Sequence, residues 1–300
     1  PIITGQSRAG SCPSQELVDA YETIDGKAPI LGYADDDHLQ PIYNEDAVYN
    51  PDTNPQGKYH INDPYANRDP RLRGTIYYNG VSAHMINPKP VITTGEGGAH
   101  EISATSLRYT RTGYYLHKYF NITSSRSVLA DGYNRVFRMA ELYLNYAEAA
   151  AESGAPASEV LAAVKPVRDR VGMPAWSSDI TSDRAKLIER VRNERRVEFA
   201  FEDHRFYDIR RWMILDQTAT VTGMRPIENI TVTTETEVDD ETGEVITKEI
   251  TNRELLGYER FSVSKSKATG SKYLRMPISI KEQVALETAT GRAEFQNPGW

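Results

Sequence analysis

Residues Leu187–Trp212 read LIERVRNERRVEFAFEDHRFYDIRRW. The pattern is helical, yet it is both heavily charged and studded with apolar residues. Leu187, Ile188, Val191, Val197, Phe199, Ala200 and Phe201 need a core. Glu194, Arg195, Arg196, Glu198 and Arg205 sit among them and need partners. A helix apolar on more than one side packs on more than one neighbour. Its charges must then be exposed, paired or functional. The first helix is expected to begin near Thr181 or Ser182 and to end near Glu202. Asp203-His204 reads as a break, and Phe206–Leu215 as a second helix. Helical spacing puts Arg195 within i,i+3 reach of Glu198 and Arg190 within i,i+4 reach of Glu194.

Immediately upstream, Asn134–Gly154 (NRVFRMAELYLNYAEAAAESG) is the clearest helix of the chain. Val136, Ala140, Tyr143, Ala147 and Ala150 form one face, and Met139, Leu142 and Tyr146 another, so packing is expected on both sides. Gly154 is placed as a C-terminal cap. A second helix follows over Ala157–Val171, where Pro166 is expected to kink or split it, and Gly172-Met173-Pro174 stops it. Two such helices, with large and small apolar residues interleaved, resemble a tetratricopeptide hairpin. Only one unit is plain, and an array needs about three.

Downstream, the pattern changes to period two over Met224–Tyr273. Ile230, Val232 and Thr234 face Val245, Thr247 and Glu249 across Asp239–Gly243, a mostly polar β-hairpin that projects into solvent. Residues 272–300 hold an extended piece, a turn at Pro277, a brief helix and an ordered aromatic end.

Toward the N-terminus, Ser14–Lys27 reads as a helix capped by Ser14 and closed by Asp25-Gly26. Residues 28–132 are loop-like, rich in Pro, Gly, Asn and Asp. Such a length is unusual in a compact domain and marks either a functional surface region held by the remainder or a partly mobile one. Within it, Asn67–Gly80 (NRDPRLRGTIYYNG) carries a turn at Asp69-Pro70, a strand over Thr75–Tyr78 and a hairpin signal at Asn79-Gly80. Thr112–Phe120 (TGYYLHKYF) is a second strand. The triple carboxylate of Ala34–His38 (ADDDH) lacks calcium-loop spacing and a closing glutamate, and reads as a solvated turn.

Composition narrows the function classes. The chain has 300 residues, a net charge of −7 and 39% hydrophobic residues, which leaves no basic footprint for nucleic acid. No apolar run approaches the roughly 20 residues of a membrane span. One cysteine, Cys12, excludes an internal disulfide. Small residues precede it, but no apolar segment or lipobox leucine does, so it is not read as a lipidation site. The chain opens at Pro1 without a targeting signal and is expected to be a piece of a longer protein. Twelve of the 18 tyrosines lie between Tyr21 and Tyr119. Tyrosine joins a flat apolar face to a polar tip, which suits a half-exposed binding surface as well as a partly exposed core.

Most catalytic signatures are missing. There is neither a dinucleotide fingerprint nor a P-loop, and Gly95–Gly98 follows no convincing strand. No nucleophile elbow appears. The six histidines lie singly, without metal-ligand spacing, and His204 reads as structural. No carboxylate pair stands out as a glycosidase acid and base. No catalytic residue, metal or cofactor is therefore nominated.

The motifs together resemble the C-terminal half of the SusD/RagB family of outer-membrane nutrient-binding lipoproteins. The resemblance is collinear: SQELVDAYETIDGK, then NRDPRLRGTIYYNG with its Asp-Pro-Arg, TGYYLHKYF, the Ala-Glu-Ala helix and VRDRVGMP. The Glu-Arg-Arg helix follows, leading to Asp208 and Arg210-Arg211-Trp212, then Met276-Pro277-Ile278 and the ending Gln296–Trp300. Asp203 stands where the family usually has Gly, Lys165-Pro166 where it carries Asn, and Trp300 where Tyr is customary. The family's N-terminal half, with its lipid cysteine and most tetratricopeptide helices, is missing from the match.

The resemblance implies a mainly α fold, with tetratricopeptide-like helical hairpins, a long loop-rich region and a small β-hairpin. Residues 1–300 would form the family's C-terminal domain. Residues 28–132 would be its ligand face, 133–220 its helical scaffold and 221–300 the hairpin and C-terminal segment. It further implies non-catalytic binding of an oligosaccharide, less often a peptide, with a SusC-like TonB-dependent porin as partner. The location would be the outer membrane at the cell surface, through a lipid anchor on the missing part. Sugar capture suits aromatic platforms ringed by hydrogen-bonding groups. All three tryptophans have structural readings, which leaves Tyr33, Tyr43, Tyr49 and Tyr65, then Tyr77 and Tyr78, as candidate platforms. Arg68, Asp69 and Arg71 read as a turn lock. The alternatives are a tetratricopeptide adaptor for a protein or peptide and, behind it, a glycoside hydrolase.

Overall fold

The computed structural model describes residues 9–83, 91–119, 135–238, 245–292, 295–298 and 300. Among them are α1 (Gln15–Ala20), β1 (Ile30–Tyr33), β2 (Pro41–Tyr43), α2 (Pro70–Thr75), β3 (Ile76–Tyr77) and β4 (Tyr115–Leu116). The helical part follows with α3 (Met139–Ser153), α4 (Ala157–Asp169), α5 (Ser178–Thr181), α6 (Arg184–Glu198) and α7 (His204–Arg211). The chain closes with β5 (Thr220–Val238), β6 (Val245–Lys265) and α8 (Ile280–Thr290). The fold is mainly helical, with three antiparallel strand pairs, β1–β2, β3–β4 and β5–β6.

α6 is the organising element. Asp183 caps it by accepting from the Ala185 and Lys186 N–H groups, which offsets the unpaired donors of its first turn. Leu187, Val191 and, just past its end, Phe199 join Leu144, Ala147, Ala151, Val160, Val164 and Trp176 in the helical core. Val197 points elsewhere, into a second core with Val18, Tyr21, Leu72, Ile76 and Tyr114. One helix thus serves two hydrophobic clusters.

The buried charges of α6 reach other elements rather than their helical neighbours. Glu194 accepts from Arg71 at 2.6 Å and Arg168 at 2.8 Å. Glu198 takes Arg71 and Arg138 at 2.9 and 2.6 Å. Arg195 pairs with Glu148 at 3.1 Å and Asp208 at 3.5 Å, and Arg190 with Glu22 at 3.5 Å. The expected Arg195–Glu198 and Arg190–Glu194 pairs are not formed. In a buried setting, tertiary partners with bidentate reach replace an exposed helical pair. Arg68, Asp69 and Arg71 form the lock at this junction. Arg68 donates to the carbonyls of Pro64, Val18 and Tyr21, and Asp69 caps α2 and holds Arg71 at 2.6 Å.

Several local expectations are corrected. α1 stops at Ala20, not near Gly26, because Arg68 takes carbonyls at its C-terminal end. α4 runs unbroken through Pro166, which lies on its exposed face, where water can take the carbonyl that the ring leaves unpaired. On α3, Leu144, Ala147 and Ala151 are buried, but Met139, Leu142 and Tyr146 are exposed, so that helix is packed on one side only. β3 does not pair across Asn79-Gly80. It pairs with β4, Ile76 opposite Leu116 and Tyr77 opposite Tyr115. Asp203 has φ +63°, the left-handed conformation that glycine adopts most easily.

The long hairpin forms and starts earlier, at Thr220, and its register differs from the expected one. Thr234 lies opposite Glu249, but Ile230 and Val232 face Arg253 and Thr251, while Thr247 and Val245 face Thr236 and Val238. Its turn, Asp239–Gly243, lies outside the described residues. Thr222 and Met224 at its base are buried, while residues 231–236 are exposed. At that base Gly113, with φ +88°, lies against the Met224 carbonyl, where a Cβ would stand 2.0 Å from the oxygen.

Candidate functional site

Tyr33 closes β1 and lines two cavities. Its phenol donates to Asp19 at 2.7 Å, and Arg260 of β6 clamps the same carboxylate with two 2.8 Å bonds. Burial, and then Asp19, push the phenol well above its ordinary range. His38 stacks on the ring at 4.0 Å, with a φ of +57° at the end of the acidic turn. Asp35 shapes that turn by accepting from the Leu39 and Gln40 N–H groups. Asp36 and Asp37 bind Thr220 and Lys265 through a carbonyl and a carboxylate. Among the described residues no cluster of three His, Cys, Asp or Glu could hold a metal ion.

The Tyr33–His38 stack lines both cavities. One, of about 970 Å³, runs past Asp35, Asp36, Asp216 and Lys265. The other, of about 770 Å³, lies between α1, α6, α7 and the start of β5. Into the second come Asn193 and Arg196 from α6 and Arg205 and Phe206 from α7. Burial lowers the affinity of the Arg196 guanidinium for its proton. Burial and the charge of Arg196 do the same at Arg205.

The other candidate tyrosines divide. Tyr43 is half-buried on β2, in the same small sheet as Tyr33, and tilts against Tyr59 at 6.0 Å. Tyr49 is exposed and stacks one face on His60 at 4.6 Å. Tyr65 is buried, stacked on Tyr78 at 4.1 Å, edge-on to Tyr258 at 5.1 Å and bonded through its hydroxyl to Tyr114. Tyr77 is buried beneath His117 at 4.1 Å. Tyr78 is half-buried in the Tyr65 group. The structure joins Tyr33 and Tyr43 on one sheet, and Tyr65 and Tyr78 in one stack. It leaves Tyr49 and Tyr77 apart from both.

Arg196, Arg205 and Asn193 escaped the sequence reading, which took the whole Glu-Arg-Arg segment as scaffold. A usable signal was present. Glu189, Asn193 and Arg196 recur at i, i+4 and i+7, a helix stripe without apolar residues, so it faces solvent or a polar cavity.

Among curated proteins, no sequence matches the chain. A solved SusD-like protein from Bacteroides fragilis NCTC 9343 has a TM-score of 0.64 and 25% identity, over 96% of this chain and 47% of that one. A SusD-like carbohydrate binding protein from the same organism has a TM-score of 0.59 and 27% identity, over 91% and 47%. The chain thus spans about half the length of these solved relatives. A model of the SusD family matches residues 3–300. With that match over nearly its whole length, the chain belongs to the SusD family.

Proposed function

We propose that the protein binds oligosaccharide at the cell surface without turnover and delivers it to a SusC-like TonB-dependent outer-membrane transporter. The observation that carries this reading is the Tyr33–His38 stack, which lines two cavities. A ring there can take the apolar face of a sugar, while the neighbouring polar groups meet its hydroxyls. Tyr43, on the same small sheet, extends the aromatic surface, and exposed Tyr49 offers a separate face. Tyr65 and Tyr77 are buried, and Tyr78 is stacked on Tyr65, so these three are read as packing rather than platform.

The buried carboxylates are spent on structure, which supports a role without catalysis. Asp19, Glu22, Asp69, Glu148, Glu194, Glu198 and Asp208 are buried and each faces an arginine. Buried Glu16 accepts from Thr222. A glycosidase needs two carboxyl groups free to exchange protons across a sugar. No helix among the described residues is long and apolar enough to cross a membrane.

Titration calorimetry against a glycan panel, with chromatography of each mixture, tests the reading. Binding without new products is expected. Released products would refute the non-catalytic role, and binding of peptides alone would refute the glycan. The latter result would favour a second reading, a protein-binding adaptor, for which the open face of Met139, Leu142 and Tyr146 speaks.

A further inference from the structure

α6 and α7 neutralise almost every charge they bury. Glu194, Arg195, Glu198, Asp208 and Arg211 all have partners of opposite sign. Arg192 pairs with Glu152, and Arg190 with Glu22. Arg196, Arg205 and Arg210 depart from this rule, and Arg210 is spent on the carbonyl and ring of Phe206. The other two differ from it. Both are half-buried, both line the cavity of about 770 Å³, and neither has an ion pair or hydrogen bond to a described residue. Asp208 is taken by Arg211 and Arg195, Glu16 gives one oxygen to Thr222, and Glu189 and Asp203 line the same cavity without bonding either arginine.

Two guanidiniums in one cavity repel each other and lose hydration, a costly arrangement unless an anion joins them. Arginine presents a planar fork that matches carboxylate and sulfate oxygens, and less hydrated surroundings strengthen that pairing. The same cavity contains the Tyr33–His38 stack and the exposed ring of Phe206, along with the amides of Asn193 and Gln217. Asn193 spends its amide N–H on the Ala20 carbonyl, which fixes its side chain at the wall. Aromatic faces, amides and two arginines without a direct partner suit one ligand class.

We infer that Arg196 and Arg205 form an anion-recognition site within this cleft, and that the ligand is an acidic oligosaccharide whose uronate or sulfate group lies between them. The inference rests on the glycan-binding reading above and narrows it.

Calorimetry on the full chain would compare oligogalacturonate, a sulfated galactan oligosaccharide and two neutral oligosaccharides, of maltose and xylose type. At least one acidic glycan is expected to bind about tenfold or more tightly than either neutral one. The tighter arm tells carboxylate from sulfate. Arg196→Gln and Arg205→Gln should each abolish most of that preference. Raising salt should weaken the acidic ligand selectively. Thermal shift of the unmodified protein by the acidic glycans gives a readout that needs no variant. Neutral glycans bound as tightly as acidic ones would overturn the inference and leave the glycan reading standing. So would acidic binding unchanged in both folded variants. No binding of any glycan would overturn both.

Discussion

Arg71 of α2 and Glu194 of α6, 123 residues apart in sequence, are joined by a buried 2.6 Å ion pair. Arg71 also meets Asp69 at 2.6 Å and Glu198 at 2.9 Å, so one guanidinium serves three carboxylates. Arg168 continues the chain of charges from Glu194 to Glu22, both at 2.8 Å, and Trp176 donates to Glu22. The loop-rich part of the molecule is held to the helical part through this network.

Removing Arg71 should therefore be expensive. Arg71→Met leaves three buried carboxylates short of a partner, and loss of one member of a buried ion pair costs about 3–5 kcal/mol. Urea unfolding should show that loss as a lower midpoint. A variant within about 1 kcal/mol of the parent would mean that the network contributes little beyond what a surface pair does.

The same network sets an acid limit. Burial alone would raise the Glu198 carboxyl, but hydrogen bonds from Arg138 and the charge of Arg71 hold it below the ordinary glutamate value of 4.5. Glu148 and Glu202 are lowered in the same way by their basic partners. A carboxyl depressed in the folded state stabilises the protein above its unfolded pKa and loses that contribution as pH falls through the folded one. Glu22 runs the other way. Burial raises it despite Arg168, so its contribution is present in acid and fades as pH rises through its folded value. With three groups lowered and one raised, stability should fall as pH drops below 4.5. Urea midpoints at about pH 7 and about pH 3.5 would measure the fall, and Glu198→Gln should flatten it. A midpoint that rose in acid would mean that Glu22 outweighs the three lowered carboxyls.

Gly113 predicts a backbone effect with no charge involved. Its φ is +88° and an added Cβ would meet the Met224 carbonyl oxygen at 2.0 Å. The Met224 N–H donates to the Thr112 carbonyl at 2.9 Å, so the two segments cannot separate without losing that bond. Gly113→Ala should cost roughly 3 kcal/mol from strain and displacement together. Thermal unfolding checks this, with Gly10→Ala, which has open space, as the control.

How much of the fold was legible in the sequence follows from the range of each interaction. The α3–α4 hairpin, α6 and the β5–β6 pair were readable because periodicity is local: apolar residues recur at helical spacing, then alternate. The destinations of the charges were not, since Arg71 and Glu194 become neighbours only through the fold. The tyrosines posed a different difficulty. Tyr65 and Tyr33 look alike in sequence, yet one ring is enclosed by Tyr78, Tyr114 and Tyr258 and the other lines two cavities. An amphipathic side chain carries no mark of which side it will face. Asp203 was legible by contrast with the family's usual glycine, and its left-handed backbone explains why glycine suits that turn.

Tyr33 separates the two things that a tyrosine can do. Its hydroxyl holds Asp19 together with Arg260 and Gln15, and its ring stacks on His38. Tyr33→Phe keeps the ring and removes one hydrogen bond to a charged group, so it should lose about 1.5–3 kcal/mol of stability. Asp19 retains its other partners, which puts the expected loss at the lower end. Glycan affinity should stay within about twofold, because the stacking face is intact. Tyr33→Ala removes the face itself and should weaken glycan binding about tenfold, as loss of an aromatic contact of about 1.4 kcal/mol would. Calorimetry on both variants, with circular dichroism to establish that each is folded, distinguishes the roles. Equal affinity in Tyr33→Ala and the parent would remove Tyr33 from the binding surface and assign it to holding Asp19 and His38 in place.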